Sequence, residues 1–236
     1  MNYRLYYWAG IQGRGEFVRL ALEEAGAKYM DMARTEDGED EMIHLMQSEA
    51  IARPSLAPPF LQAGATLIGQ TANILQFLGR EHGLAPQGEA GRQWINQLQL
   101  TVADFVAEAH DVHHPISGNL YYEEQKAEAL RRAEHFREER LPKYLGYFDR
   151  VLAKAGGKWI AGSKLTYADL SLFQIVEGLR FAFPKSMKRL ERKFGALAGL
   201  RDRVANRPRI AAYLKSDRRL PFTNADLFRH YPELDG

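Results

Sequence analysis

No cysteine occurs anywhere in the 236-residue chain. That absence excludes disulfides, a protein thiol nucleophile and a zinc–thiolate centre. Thiol–disulfide exchange by the protein is disfavoured for the same reason, since no protein sulfur can enter a mixed disulfide. No apolar run approaches the roughly 20 residues needed to span a bilayer. The opening Met1-Asn2-Tyr3-Arg4 has no signal-peptide apolar stretch. The expectation is a soluble, cytoplasmic protein without membrane contact. Charge of one sign is also scarce: the formal net charge is +2, and basic residues alternate with acidic ones. A nucleic-acid surface is therefore not indicated. No repeat of fixed period is present.

The 11 tyrosines and 12 phenylalanines argue for packed cores. The length holds one large or two modest domains that need no covalent staples. Tyr3 to Tyr7 alternates as a strand does, and the glycines at 10, 13 and 15 make a loop after it. Phe17, Val18, Leu20, Ala21, Leu22 and Ala25 recur at helical spacing, and Gly26 stops that helix. A second strand is predicted over 28–33, and an irregular or helical connection over 36–48.

Leu56-Ala57-Pro58-Pro59-Phe60-Leu61 reads as a short strand reached through two prolines. A turn over 62–65 and a strand over 66–68 follow. Gly69-Gln70-Thr71 then breaks the strand, and Ile74, Leu75 and Leu78 open a helix running to about Arg80. A helix N-terminus carries unpaired N–H groups and partial positive charge, so it attracts carboxylates. Gln70 and Thr71 stand at that mouth with an amide and a hydroxyl. Pro59 cannot donate to a ladder, and a cis X–Pro bond is one way to make the bend. Such a bend exposes the preceding residue's backbone to an extended peptide. Two readings stay open here: a slot for a small anionic peptide, or a proline turn and a capped helix with no ligand.

The order strand, helix, strand, connection, hairpin, helix suits a small α/β layer domain over residues 1–82. Residues 83–91, rich in glycine and proline, read as a linker. Residues 92–236 are predicted all-helical, with no alternating run and no hairpin turn. Residues 113–119 read as a loop, and 123–140 as a solvated helix with a thin apolar stripe. Thr166 and Asp169 form a capping-box pair at a helix start, with Leu165 and Leu170 as staple. Pro208 sits in the first turn of a later helix.

Taken together and in this order, these residues resemble the cytosolic glutathione transferase family over essentially the whole chain. The matching stretches are Asn2 to Trp8 with Gly13-Arg14 and Phe17 to Leu20; Pro59-Phe60-Leu61; Gln70 to Ile74; Trp159 to Asp169; and Arg207-Pro208. The early tyrosine makes the chain similar to the sigma, mu, pi and alpha group. The resemblance implies a thioredoxin-like N-terminal domain, an all-α C-terminal domain and a homodimer, with glutathione as co-substrate and no metal. It further implies that Tyr7 donates a hydrogen bond to the glutathione sulfur and lowers the thiol pKa from about 8.5. Pro58, preceding Pro59, offers its carbonyl to the cysteinyl N–H. Gln70 and Thr71 hold the γ-glutamyl carboxylate, and Asp104 reaches the γ-glutamyl amine of the neighbouring subunit. Trp8 and Arg14 complete the glutathione contacts. Ala9, His110 and His114, with Trp8, are candidates to line the pocket of a small hydrophobic electrophile. Conjugation, isomerisation and peroxide reduction all use the same thiolate.

Two departures matter. The loop between Tyr7 and Gly13-Arg14 is one residue longer than the tyrosine groups suggest, so Tyr6 is a live alternative to Tyr7. A strand tyrosine that only packs the core is the third option. Pro58 has no N–H, so one peptide hydrogen bond is missing, worth about 1 kcal/mol or roughly five-fold in affinity. A different class, a non-catalytic glutathione-binding or protein-interaction module of the same fold, stays open. His110 and His114 at helical i, i+4 spacing allow a metal site, but no supporting ligand pattern accompanies them.

Overall fold

The structure, a computed structural model, describes residues 2–236. Strand β1 (Tyr3–Tyr6) runs parallel to β2 (Tyr29–Asp31) and antiparallel to β3 (Phe60–Ala63), which pairs with β4 (Thr66–Gly69). The sheet order is β2-β1-β3-β4. Helix α1 (Gly15–Ala25) makes the crossover between the parallel strands and ends at Gly26, whose φ of 64° only glycine adopts freely. Helices α2 (Gly38–Gln47) and α3 (Thr71–Glu81) complete the layer.

Strand alternation divides β1 between two cores. Tyr3 and Leu5 enter the main core with Phe17, Val18 and Leu20 of α1 and Ile74, Leu75 and Leu78 of α3. Tyr6 joins Met32, Met42 and Phe60 in a separate cluster toward α2. Three element limits differ from the sequence expectation. β1 stops at Tyr6, before Tyr7. β2 is shorter than 28–33, because Met32–Arg34 turns into a 3-10 helix closed by Thr35, whose N–H and hydroxyl both donate to the Met32 carbonyl. The hairpin turn is Gly64-Ala65 alone, with Gly64 at φ 63°.

The second half is helical: α4 (Glu89–His110), α5 (Lys126–His135), α6 (Leu141–Lys154), α7 (Tyr167–Ala182), α8 (Pro184–Leu190), α9 (Gly195–Ala205) and α10 (Pro208–Leu214). Helix α4 begins within the stretch read as a linker and ends at His110, ahead of Pro115. The single helix predicted over 123–140 is instead a 3-10 turn, α5 and a π-type turn at Phe136–Arg140. The Leu141 N–H reaches the Phe136 carbonyl five residues back. Widening of this kind accommodates Pro142, which has no N–H for the regular ladder. Helix α7 is buried nearly all round. Its cap is the one expected: Asp169 accepts the N–H of Thr166 at 2.7 Å, the Thr166 hydroxyl at 2.8 Å and the N–H of Ile160 at 2.8 Å. Burial raises the Asp169 carboxyl to about 6 against those bonds.

After α10 the chain returns across both domains as a fixed tail. Leu227 and Phe228 are buried, and Phe228 lies over Gly178 of α7 so closely that no Cβ fits there. Tyr231 stacks on Tyr122 with centroids 3.8 Å apart. His113 donates its Nε2–H to the Leu227 carbonyl at 3.0 Å. A carbonyl only accepts, so the His113 Nδ1 carries the lone pair and accepts from the His114 Nδ1–H. Burial pushes the His113 imidazole down to about 3, helped by the charge of Arg229.

Below about pH 6.5 the unfolded imidazole binds a proton that the folded one refuses, so stability is full above that pH and falls toward about pH 3. The contribution is about 1.4 kcal/mol per pH unit inside that window. Denaturant unfolding at pH 7, 6 and 5 is expected to show a steeper acid loss in wild type than in His113→Gln, by about one proton. Equal slopes would exclude a buried neutral His113.

Candidate active site

The register of three strands aligns the residues singled out by sequence. Tyr6 pairs with Phe60, and Phe60 with Gly69. Tyr7, Pro59 and Gln70 adjoin these three residues in the chain, so all three lie at the same end of the sheet. The Pro58–Pro59 peptide is cis. Gln70 is the one non-glycine residue with positive φ among the described residues, at 69°. Such a conformation costs of order 1–3 kcal/mol and persists where the surroundings impose it. Its carbonyl accepts the N–H of Ile74 at 2.9 Å and opens α3.

Tyr7 is 6% exposed. The loop after it folds back over its ring: a Cβ at Gly13 would strike the hydroxyl, and one at Gly15 the ring. The backbone N–H of Arg14 donates to the Tyr7 hydroxyl oxygen at 2.8 Å. Burial raises the phenol pKa; the Arg14 N–H and the Arg14 charge oppose this, and Asp226 adds to it. A phenol that stays protonated remains a hydrogen-bond donor. Tyr6 has a different environment. It is fully buried on the α2 face, stacked on Phe60 with centroids 4.7 Å apart, and its hydroxyl donates to Glu41 at 2.7 Å. Arg4 pairs with the same carboxylate at 2.7 Å.

A cavity of about 400 Å³ lies where α3 begins, between α1 and α4. Arg14, Gln70 and Thr71 line it together, with Asn73 and Gln76 of α3. Among the described residues, no acidic side chain lines it. Open N–H groups of the first α3 turn and the Arg14 guanidinium give it the character of a carboxylate site. Other sequence candidates lie outside its lining. Trp8 is 40% exposed, and the exposed Ala9 gives its N–H to Glu39 at 2.7 Å. Pro58 and Pro59 sit at the neighbouring end of β3. Asp104 is exposed on α4, next to the lining residue Ala103. His110 contacts Asp111 through Nδ1 at 3.1 Å and stacks against His114. Burial lowers the His110 pKa, and the charges of Arg14 and Arg229 lower it further. His114 is buried beside His113 and the tail.

Sequence reasoning missed the α4 side of this cavity. Asn96, Gln99, Leu100 and Ala103 follow the i, i+3, i+4, i+7 spacing of one helix face. That spacing, with two amides among the apolar positions, was the available signal. Gln99 is 2% exposed, and its Oε1 has no hydrogen-bond partner among the described residues. Asp226 was also missed, since nothing local marks a tail carboxylate as a neighbour of residue 12.

Residues 110–217 match the family described as glutathione S-transferase, C-terminal domain. The chain is 30% identical to Glutathione S-transferase Mu 3 of Mus musculus over 228 residues, covering 94% of each. It is 28% identical to Glutathione S-transferase P 1 of Xenopus laevis over 224 residues, covering 92% of this chain and 94% of that one. Among solved structures, the Onchocerca volvulus Pi-class glutathione S-transferase superposes with a TM-score of 0.70 at 24% identity, covering 91% and 93% of the two chains. Prostaglandin synthase D of Nilaparvata lugens superposes with a TM-score of 0.72 at 22% identity, covering 94% and 100%. At these identities the two structures establish the fold, a thioredoxin-like domain with an all-α domain, and the sequence relatives carry the rest: the chain belongs to the glutathione S-transferase family.

Proposed function

We propose that the protein is a glutathione transferase in which Tyr7 activates the tripeptide's thiol for attack on small electrophiles. The observation that carries this reading is that Tyr7, Pro59 and Gln70 leave the paired strands at one sheet end, where Arg14, Gln70 and Thr71 line a cavity. About 400 Å³ lies within the range of small-ligand pockets. The γ-glutamyl carboxylate meets the α3 mouth, Gln70 and Thr71. The cysteinyl N–H meets the Pro58 carbonyl, and Arg14 and Trp8 complete the contacts. On binding, the thiol proton leaves to solvent and the Tyr7 hydroxyl donates to the resulting thiolate. A hydrogen bond to the charged form favours it, so the thiol pKa falls. The thiolate sulfur then bonds to the electrophilic carbon, and a leaving group departs with its electron pair or the adduct takes up a proton. Isomerisation and peroxide reduction draw on the same thiolate.

Electrophiles enter beside Trp8, Ala9, His110 and His114. A homodimer completes the site when Asp104 of one protomer reaches the γ-glutamyl amine held by its partner. No described helix is long and apolar enough to cross a membrane. Relatives named as transferases favour an enzyme over a non-catalytic binding module.

An aryl-halide conjugation assay with Tyr7→Phe and Tyr6→Phe tests the central role. Tyr7→Phe is expected to lose at least about ten-fold in rate at neutral pH, one unit of thiol pKa, while retention on immobilised glutathione persists. Tyr6→Phe is expected to keep its activity and lose about 1 kcal/mol of stability, since it gives up one hydrogen bond. Full activity in Tyr7→Phe would remove the assigned role.

Gln70 gives a second test, because its backbone and its side chain pull in opposite directions. Gln70→Gly removes the steric penalty at positive φ but adds freedom to the unfolded chain, leaving stability within about 1 kcal/mol of wild type. Glutathione affinity, measured by calorimetry, is expected to fall about five-fold or more, the loss of at least one hydrogen bond. Unchanged affinity would mean that the Gln70 amide makes no ligand contact.

A further inference from the structure

We propose that Asp226, near the end of the chain, is a positioning residue for the Tyr7 hydroxyl: its carboxylate clamps the loop whose next N–H holds that hydroxyl. The inference rests on the reading of Tyr7 given above and adds to it a residue more than 200 positions away. Asp226 is 3% exposed. Its Oδ2 accepts the N–H of Gln12 at 2.9 Å, and its Oδ1 accepts the N–H of Gly13 at 2.8 Å. The neighbouring N–H of Leu227 also reaches Oδ1, at 2.6 Å. The next N–H along, that of Arg14, is the one that donates to Tyr7.

Consecutive N–H groups of a loop cannot pair with one another, and burying them unpaired costs about 1–3 kcal/mol each. A carboxylate with two acceptor oxygens satisfies two at once and fixes the direction of the third. Gly13 makes this tight geometry possible: its φ is 46°, and any side chain there would collide with the Tyr7 hydroxyl. The Arg14 N–H occupies a lone pair of the phenol oxygen, which leaves the phenol's own hydrogen free to be donated elsewhere.

The clamp itself is held from behind. Leu227 and Phe228 are buried, the Leu227 carbonyl accepts from His113, and the Arg229 Nε donates to the Asp226 carbonyl at 2.9 Å. Gln12 is tied a second time, donating through Nε2 to the Leu220 carbonyl and accepting at Oε1 from Gln174 at 2.8 Å. The charged groups acting on the phenol are Arg14, Arg19 and Asp226. The Arg19 guanidinium carbon stands 5.9 Å from the Tyr7 ring centroid and is paired with Asp31 and Glu16. Asp226 therefore acts twice: it orders the Arg14 N–H, and its negative charge disfavours loss of the phenolic proton.

The test reads the ionisation of bound glutathione by its ultraviolet thiolate absorbance across pH, in wild type, Asp226→Asn, Tyr7→Phe and the double variant. Asp226→Asn replaces one acceptor oxygen by an NH2 group facing a loop N–H. The thiolate titration is expected to move up by about one pH unit, matching an approximately ten-fold slower conjugation at neutral pH that recovers at alkaline pH. Glutathione affinity is expected to stay within about two-fold, since no proposed ligand contact is removed. The double variant is expected to titrate like Tyr7→Phe alone, because both changes act through one hydroxyl. A titration of Asp226→Asn that overlays wild type, or one that shifts further when added to Tyr7→Phe, overturns the proposal. If Tyr7→Phe itself fails to shift the titration, the thiol-activation reading falls first, so the two failures are distinct. Should Asp226→Asn not fold, Asp226→Glu keeps the charge and displaces it by one methylene. It is expected to give a smaller upward shift, and a wild-type titration there would equally overturn the proposal.

Discussion

Antiparallel register at one end of a four-stranded sheet is the constraint on which the site depends. Because Tyr6, Phe60 and Gly69 share a row, the residues that adjoin them in the chain all lie at the same end of the sheet. That end holds a phenol, a cis proline and the N-cap of α3. A slip of one residue would turn Tyr7 to the α2 face and bring Tyr6 to its place. Two cores prevent the slip. Tyr3 and Leu5 are committed to the α1 and α3 side, while Tyr6 is committed to Phe60, Met32 and Met42 on the other.

The seam between domains is polar where it borders the site. Arg19 is 1% exposed, yet it bonds Asp31 at 2.7 Å, the Gln12 carbonyl at 3.2 Å and Glu16 at 3.4 Å. Glu16, also fully buried, accepts from Tyr213 of α10 at 2.7 Å and from Arg219 of the tail. Arg219 bonds Gln174 of α7 at 3.0 Å, and Gln174 bonds Gln12. Buried charge is weak support for stability, since desolvation opposes the attraction. What such a network supplies is a single arrangement, because any slip strands a buried charge. Here that arrangement fixes Gln12, and with it the loop over Tyr7. The tail belongs to the same device, so the C-terminus acts at the N-terminal strand.

Much of this was legible in the sequence, for identifiable reasons. Alternation over 3–7 put Tyr6 and Tyr7 on opposite faces without choosing between them, and the apolar pattern after Thr71 located the α3 mouth. Thr166 and Asp169 announced their cap because capping is local chemistry. The limits that moved were set by tertiary or steric demands: the 3-10 turn at Met32, and the π-type turn that Pro142 requires. The positive φ of Gln70 had no signal, since the usual marker for that conformation is glycine. Asn96 and Gln99 were hidden in an otherwise apolar helix face. The partnership of Asp226 with residues 12 and 13 is a product of the folded path alone. The histidines read as a possible ligand cluster have partners of another kind, a backbone carbonyl, Asp111 and each other.

The central claim is that the Tyr7 phenol donates to the sulfur of glutathione held across the Pro58–Pro59 bend and the α3 mouth. A crystal structure of the complex tests it most directly. The account predicts the sulfur within about 3.5 Å of the Tyr7 hydroxyl oxygen, the outer reach of a hydrogen bond to sulfur, with the γ-glutamyl carboxylate at Gln70 and Thr71. Glutathione bound elsewhere, or seated in this cavity with its sulfur turned away from Tyr7, would contradict it.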